Sequence, residues 1–488
     1  MLTLSVKQLC EATQGQLKTG FMAAVDCEDL RIDNVSTDTR NLQSKDLFIA
    51  LKGPSFDAHQ LLPQAIEKGA AVVLVESTSK LNIGSDNVVI EVQDTRIALG
   101  LLGRYIRQQL NELKCAAITG SNGKTTCKEL LSAILTAYCG DAEKVLATAG
   151  NFNNDIGLPL TLLRLQPQHQ FAVVELGANH IGEIAYTSRL AQPDVALVNN
   201  IMPAHLEGFG SLQGVATAKA EIWSHLSPSG VAVVNLDADF SEQFVQQLEK
   251  ENKKRLGFSK ETSHKSNVPA DVFATDITLN ALGQAAFMLN VNVSEHLQSI
   301  AIQLNLPGKH NISNALAAST MAIALGCDLN SIQKGLNNVQ QVAGRVNSAV
   351  ISQNLIVIDD TYNANSASVN AGIDLLSQYQ GERLLVLGDM GELGEFAEQE
   401  HQNIGEYAQK QGIERLFTVG NLSQHTTNAY NASSITTNAQ HFFDKVTLQE
   451  AISSYLTQQS NKVIILVKGS RSAKMEEIVS FIKNEFSA

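Results

Sequence analysis

The chain has 488 residues, with 36 Lys and Arg against 49 Asp and Glu, for a formal net charge of −13. That balance excludes a dedicated nucleic-acid binder, which would carry a broad basic excess, but leaves room for a local phosphate pocket. An apolar fraction of 44% with 33 Gly and 9 Pro excludes wholesale disorder, and no apolar run reaches the roughly 18 residues needed to cross a bilayer.

At about 150 residues per domain, the length suggests about three domains. The amino terminus, MLTLSVKQLCEATQG, lacks a basic segment followed by an apolar one, so no export signal is read. The six cysteines are scattered without CxxC or Cys/His metal spacing and read as small buried residues. A cytoplasmic, reducing setting is expected.

The first 80 or so residues mix short strands, DLFIAL and AVVLVE, with the helically spaced HQLLPQAIEKGA, and form a small α/β unit. After the polar KLNIGSDN, a helical run DTRIALGLLGRYIRQQLNELK leads into the strand CAAIT. Strands and helices then alternate: AAIT with KTTCKELLSAILTAY, FAVVEL with GEIAYTSRLA, VALVNN with LQGVATAKAEIWSHL, and VAVVNLD with FSEQFVQQLEKEN. Near-continuous apolar strands of this kind indicate a parallel sheet covered on both faces. KENKKRLGFSKETSHKS reads as a solvated loop. AAFMLNVNV and QSIAIQLNL alternate with period two, as an antiparallel appendage with one wet face would. From about Val350, LIVIDD, RLLVLGD, RLFTVG and VIILVKG are strands of another doubly wound domain.

The sharpest signal is ITGSNGKTT, Ile118 to Thr126, between a buried strand and an amphipathic helix. Gly120 and Gly123 let the backbone approach a polyphosphate, while exposed amides of Ser121, Asn122 and Thr126 and the helix amino terminus face its charge. Lys124 would bridge the outer phosphates and the Thr125 hydroxyl would sit on Mg2+. The strict pattern GxxxxGK[ST] fails, because Ile118 holds its first glycine position.

Glu175 ends the strand FAVVEL, and His205 follows the next strand in NNIMPAHLEGFG. In an open parallel sheet the carboxyl ends of strands open onto the ligand crevice, so both face the rim of the phosphate loop and could hold Mg2+. By composition alone His205 is more often a hydrogen-bonded loop residue, and the spacing of Lys219 in ATAKAEIW says only that it is a helix surface cation. GNFNNDIGLP, with Asn153, Asn154 and Asp155, is either turn chemistry or a fan of donors and acceptors. In LPGKHNISNALAA, Asn311 and Asn314 share a helix face, and Asn311 can be an amino-terminal cap. DDTYNAN and VKGSRSAKM put carboxylates, amides and the Lys468/Arg471 pair at strand ends, where such cations suit a carboxylate or phosphate.

Taken together, GSNGKTT, GNFNNDIGLP, ELGANHIGEI, NNIMPAHLEGFGSL, KAEI, PGKHNISNALAA, DDTYNAN, GDMGELG and KGSRSAKMEE occur in the order seen in Mur ligases, which the chain resembles from about Ser36 to Glu477. The resemblance implies an α/β protein of three domains: a small UDP-sugar binder (1–82), a central P-loop ATPase with a parallel sheet (83–340) and a Rossmann-like domain (341–488). ELGANH with GEI, and GDMGELG, resemble the branch that adds D-alanyl-D-alanine to UDP-N-acetylmuramoyl-tripeptide, with ATP and Mg2+ as cofactors. ATP would phosphorylate the peptide carboxylate, and the dipeptide amine would attack the acyl phosphate. A monomer is expected, without nucleic acid or membrane span.

Residue by residue, the resemblance gives Lys219 the place of the lysine that Mur ligases carbamylate, a second-metal anchor with His205, while Glu175 shares a metal with Thr125. It gives Asn311 and Asn314 adenine-side contacts, and Arg345 and Asp360 nucleotide contacts from the closing third domain. Lys468, Ser470 and Arg471 fall near the dipeptide, with Tyr362, Asn363 and Asn365. Ser36, Thr39, Arg40, Lys52 and His59 match the uridine-diphosphate region, and Asn153, Asn154 and Asp155 the muramyl-peptide side. Two motifs depart from the family pattern: Asp57-Ala58-His59 for DGH, and Ala343-Gly344-Arg345 for PGR. The DNPR signature of the diaminopimelate-adding ligase is absent, and folylpolyglutamate synthetase would lack GDMGELG and KGSR. A nucleotide-binding relative without ligase chemistry is the rival from a different class.

Overall fold

The structure, a computed structural model, describes residues 1–18, 30–76, 87–203, 206–260, 267–293, 296–340, 344–433 and 438–487. In the first unit, Val35–Ser36, Leu47–Ile49, Val72–Glu76 and Val88–Val92 pair in parallel, and Gln16–Lys18 closes the sheet antiparallel to Val88–Val92. The expected break after residue 82 lies outside the described residues, and it is placed too early. The strand that follows the polar stretch, VVIEV, pairs with both of its neighbours in the first sheet. Composition shift marked a connection there, whereas hydrogen bonding decides membership.

Asp94 then caps the helix Thr95–Gln108, its carboxylate accepting from the backbone amides of Arg96 and Ile97. That helix buries Ala98, Leu99, Leu102 and Ile106 in one apolar core shared with Leu47 and Val72 of the first sheet and Ala172 and Val174 of the next. The two units are therefore joined by packing as well as by chain.

Among the described residues the central sheet has nine strands. Val145–Ala147, Phe171–Glu175, Lys114–Thr119, Val195–Val198, Val231–Asn235, Lys254–Ser259 and Val272–Leu279 run parallel in that spatial order, and Gln284–Val293 and His296–Pro307 follow antiparallel. One expectation is met here and one changes. The period-two segments do form an antiparallel pair with one wet face, and they join the edge of this sheet, because Val272–Leu279 pairs with both Lys254–Ser259 and Gln284–Val293. The charged stretch after residue 249 is not all solvated loop. Its centre, KRLGFS, is a strand with Gly257, Phe258 and Ser259 buried; residues 261–266 lie outside the described residues.

Among the described residues the third unit has six strands in the order Asn347–Ser352, Leu355–Asp360, Val463–Lys468, Glu382–Gly388, Arg415–Val419 and Ala439–Phe442, parallel except for the first pair. Sequence periodicity missed the two edge strands, which are half-buried or short.

The phosphate-loop helix, Lys124–Cys139, buries Leu130, Leu131 and Ile134 against the helices His310–Ala324 and Leu329–Asn337. At the crossing with Leu329–Asn337, a methyl group on Gly335 would stand 2.4 Å from the Ile134 Cα. Backbone against backbone cannot yield as a side chain can. Gly335→Ala is predicted to destabilise the protein by about 1–3 kcal/mol through overpacking, read as a lower urea midpoint with an unchanged slope.

Candidate active site

The strand Lys114–Thr119 ends in the loop Gly120–Gly123, and the helix starts at Lys124. Gly123, at φ +78°, turns the chain into the helix, and its missing side chain is also required by contact. A Cβ there would lie 2.5 Å from Asn314 Oδ1 and 2.6 Å from Asn199 Nδ2. Left-handed backbone and absent space both demand glycine.

Behind the loop stands a network of amides. Asn199, buried at the end of the next strand, donates from Nδ2 to the Asn122 carbonyl (3.1 Å) and to Asn314 Oδ1 (3.0 Å). Asn200 accepts from the Asn122 amide at 2.8 Å and returns a bond to its carbonyl at 3.0 Å. Asn314 in turn donates to Asn311 Oδ1, and Asn311 to the Pro307 carbonyl. Asn311 is therefore not the helix cap its position suggested: the helix starts at His310, and the Asn311 side chain reaches back to the preceding strand. Both asparagines line the cavity described below, with side chains turned to bracing the loop.

Charge converges in front of that loop. Lys124, Glu175, Lys219 and Arg345 line one cavity of about 1120 Å³ with Ser121, Asn122, Gly123, Thr125 and Thr126. Lys124 Nζ donates to the Gly120 carbonyl at 2.6 Å. Burial lowers its pKa, Glu175 opposing and Arg345 reinforcing that shift. Lys219 is buried, with Nζ 5.8 Å from the centre of the Phe209 ring. Desolvation, and then the charge of Lys124, hold its pKa well below the usual lysine range. Spacing alone made Lys219 a surface cation; the helix Leu212–Ala220 instead turns it inward.

Among the described residues, no group of three or more His, Cys, Asp or Glu is placed to hold a metal ion. Glu175 nevertheless fits a hard cation: Oε1 is buried without a hydrogen-bond partner, and bare carboxylate oxygen is what Mg2+ takes. The Thr125 hydroxyl faces the same cavity and accepts from Arg345 Nη2 at 3.1 Å. Lys219 as an amine is the wrong donor for Mg2+; a carbamate there would supply anionic oxygen. His205 lies outside the described residues.

The third unit closes onto this loop. Besides its bond to Thr125, Arg345 lies over the Tyr362 ring at 4.0 Å. Asn365 caps the helix Ser366–Ser377, accepting from the Ser368 amide. It also makes a reciprocal amide pair with Asn122, at 2.8 and 3.2 Å. Asp360 and Lys468 are register partners on adjacent strands and form a buried ion pair at 2.6 Å, with Lys468 also donating to the Asn363 carbonyl at 2.9 Å. The expected roles of Asp360 toward nucleotide and Lys468 toward dipeptide are thus joined into one internal pair. Ser470 is buried and exchanges a hydrogen bond with Ser472. Arg471 is exposed, pairs with Glu476 and lines the cavity, as do Tyr362 and Asn363.

The first-unit candidates lie apart from this cavity. The Ser36 hydroxyl donates to the Asp38 carbonyl, and that of Thr39 to Gln64. Arg40 is exposed and pairs with Asp38. His59 has both ring nitrogens engaged, Nδ1 with Asp57 and Nε2 accepting from the Glu76 amide, which fixes the Nδ1–H tautomer. Lys52 is exposed and bridges to Asp57 by backbone. Asn153 and Asn154 line the main cavity, Asn154 also accepting from the Gly157 amide; Asp155 pairs with Arg96 instead.

The whole chain has counterparts of known kind. Residues 31–107 match the Mur ligase family catalytic domain, 118–322 the Mur ligase middle domain, and 344–471 the Mur ligase glutamate ligase domain. It is 42% identical over 479 residues to the UDP-N-acetylmuramoyl-tripeptide–D-alanyl-D-alanine ligase of Escherichia coli, with 98% of each chain covered. The chain belongs to the Mur ligase family. The same ligase of Haemophilus influenzae is 40% identical over 489 residues, covering 99% of both chains. A crystal structure of MurF from Acinetobacter baumannii superposes with a TM-score of 0.88 at 36% identity, again over 99% of each.

In this Mur ligase, the residues that sequence reasoning missed are Asn199 and Asn200. They stand in the quoted motif NNIMPAHLEGFG, yet strand-end asparagines are ordinary turn formers. Only the cross-sheet register, with Asn199 donating its amide to the Thr119 carbonyl at 2.9 Å, puts them beneath the loop. Asn199→Ala would leave buried Asn314 Oδ1 short of its amide donor, while the Asn122 carbonyl keeps Asn200, at a cost of about 1–3 kcal/mol. Calorimetric titration should show ATP binding weakened by about tenfold, with a smaller effect for Asn338→Ala on the exposed surface.

Proposed function

We propose that the protein is an ATP-dependent ligase that joins D-alanyl-D-alanine to UDP-N-acetylmuramoyl-tripeptide, giving the pentapeptide, ADP and phosphate. The observation that carries this reading is the shared cavity. A phosphate loop, a bare buried carboxylate at Glu175, and third-unit groups Arg345, Tyr362 and Arg471 all face one space. The near-full-length relatives of the same name support the choice of substrates.

The chemistry follows from charge. The γ-phosphoryl group of ATP passes to the peptide carboxylate, breaking the bond to the β-phosphate and forming a mixed anhydride. The dipeptide amine adds to the carbonyl carbon, and the resulting tetrahedral species expels phosphate with one oxygen of the original carboxylate. Such transfers need positioning and charge neutralisation more than covalent help. Lys124 and Arg345 supply two fixed cations. Glu175 and Thr125 would hold Mg2+, which neutralises the polyphosphate when bound. Lys219, uncharged more readily than an exposed lysine, can take up carbon dioxide as a carbamate and become a second anionic ligand beside His205.

The remaining assignments divide by unit. The UDP-sugar part extends to about Val92, past residue 82, and Arg40 and Lys52 are its exposed cations. Asn153 and Asn154 suit the peptide arm of the substrate. Asn311 and Asn314 act on nucleotide by holding the loop, and the Asp360–Lys468 pair by fixing the third-unit loops around it. The third unit shields the acyl phosphate from water, which would otherwise hydrolyse it.

Release of ADP and phosphate in the presence of ATP, Mg2+ and the tripeptide nucleotide should depend on D-alanyl-D-alanine, with a product heavier by the dipeptide. Release indifferent to the dipeptide would contradict the assignment. In the same assay, Lys219→Ala and Glu175→Gln should each lower kcat by about 100-fold or more, while circular dichroism shows an intact fold.

A further inference from the structure

Besides gripping the phosphate loop, the third unit rests on a second part of the central one. The antiparallel strands Val272–Leu279 and Gln284–Val293 are joined by the turn Asn280–Gly283. That turn braces itself. Asn280 Oδ1 accepts from the amides of Leu282 (2.9 Å) and Gln284 (3.0 Å), and its Nδ2 donates to Gln284 Oε1 at 2.8 Å. The Gly283 amide donates to the Asn280 carbonyl, and the Gly283 carbonyl accepts from the Gly308 amide at 2.8 Å, just before the helix His310–Ala324. The shape of the turn is therefore fixed from within the central unit.

On this turn sits the far end of the helix Ser366–Ser377. Tyr379 is buried, and its hydroxyl donates to the Leu282 carbonyl at 3.1 Å. A carbonyl only accepts, so the single phenolic proton is committed there, and Ser348, 3.4 Å away, donates its own hydroxyl to the phenol oxygen. Gly283, at φ +68°, leaves no room for a side chain: a Cβ would stand 2.8 Å from Leu375 Cδ1. The near end of the same helix is held as well, by Asn365 on Asn122. The chain itself crosses between the units close by, since the Tyr362 amide donates to the Gly344 carbonyl at 3.0 Å. The twelve residues of the helix separate its two ends by about 18 Å.

The two ends differ in what a ligand can do to them. Asn122, Thr125 and Arg345 line the main cavity, whereas Leu282, Gly283, Leu375 and Tyr379 do not. Nucleotide or metal at the loop therefore competes for the near contacts and leaves the turn untouched. Between the ends, Ala367, Ser368, Ala371 and Gly372 form part of the cavity wall. Tilting this helix would reshape the space in which the reaction occurs.

Resting on the ligase reading above, we infer that Tyr379 is a positioning residue, which with the turn Asn280–Gly283 forms a second support for the third unit, away from the chain crossing. Supports about 18 Å apart allow rotation about the line that joins them and resist tilt across it. The helix Ser366–Ser377 lies along that line. The loop that carries Gly394, where a methyl would stand 3.5 Å from Glu207 Cβ, belongs to another part of the unit and closes around it. Each closure then returns the third-unit loops to the same place over the acyl phosphate, which a loosely held unit would leave open to water.

The test is steady-state kinetics of Tyr379→Phe, which removes the hydroxyl and keeps the ring. Tyr407→Phe is the control: its hydroxyl donates at 2.6 Å to Asp374, on the same helix but wholly within the third unit. Tyr379→Phe should lower kcat by about three- to tenfold, the factor that one hydrogen bond carries, with KM for ATP held within about twofold. Water that reaches the acyl phosphate returns carboxylate and phosphate without forming the amide. ADP released per pentapeptide formed should therefore rise from about one to about two, and further in Tyr379→Ala. Tyr407→Phe should keep the parent values of both. Kinetics of Tyr379→Phe that match those of Tyr407→Phe, or a fall in kcat with the ratio still at about one, would overturn the inference while leaving the ligase assignment standing. A parent enzyme without dipeptide-dependent turnover would remove the assignment itself, and the inference with it.

Discussion

No side chain fits at residue 123. The amides of Asn199 and Asn314 occupy that space, and the rest of the site is arranged around the contact. Because the backbone can lie flat against those amides, the helix Lys124–Cys139 begins directly over the end of the central sheet. Its first amides then point into the cavity, and Lys124 and Thr125 follow as the first two helical residues. A helix amino terminus with unpaired amides is a ready place for phosphate charge. Here four asparagines, two at the end of one strand and two on one helix, hold it in place, so the geometry does not depend on a ligand to form it.

The same loop is where the units meet. Asn122 pairs with Asn365, and Thr125 accepts from Arg345, so the third unit grips the phosphate loop from the opposite side to the asparagine network. Among the described residues the contact is made by polar side chains, which suits a unit that must let substrates in and then exclude water. Charge follows the same plan. The chain is acidic overall, yet Lys124 and Arg345 face one cavity with Glu175. A polyphosphate entering that group replaces cation–cation repulsion with attraction. Burial makes the exchange stronger than it would be in water.

Much of this could be read from residue order. The parallel sheet, the phosphate loop and the strand-end position of Glu175 followed from apolar runs and from where carboxyl ends of strands must open. The inward face of Lys219 did not, because helix spacing around it is nearly uniform in small apolar residues and names no buried side. Asp360 and Lys468 looked like two ligand-binding groups, 108 positions apart. Their pairing depends on the strand Val463–Lys468 being inserted beside Leu355–Asp360, a fact of sheet order that local pattern does not carry. His59 likewise matched a sugar-pocket motif, while its two hydrogen bonds show a histidine that holds its loop together.

The central claim is that this cavity transfers phosphate to a carboxylate before the amide forms. It is tested most directly by labelling both carboxylate oxygens of the tripeptide nucleotide with oxygen-18 and following the label through turnover. The account predicts one labelled oxygen in each molecule of inorganic phosphate and one retained in the new amide carbonyl. Phosphate free of label, formed at the same rate as the amide, would contradict it.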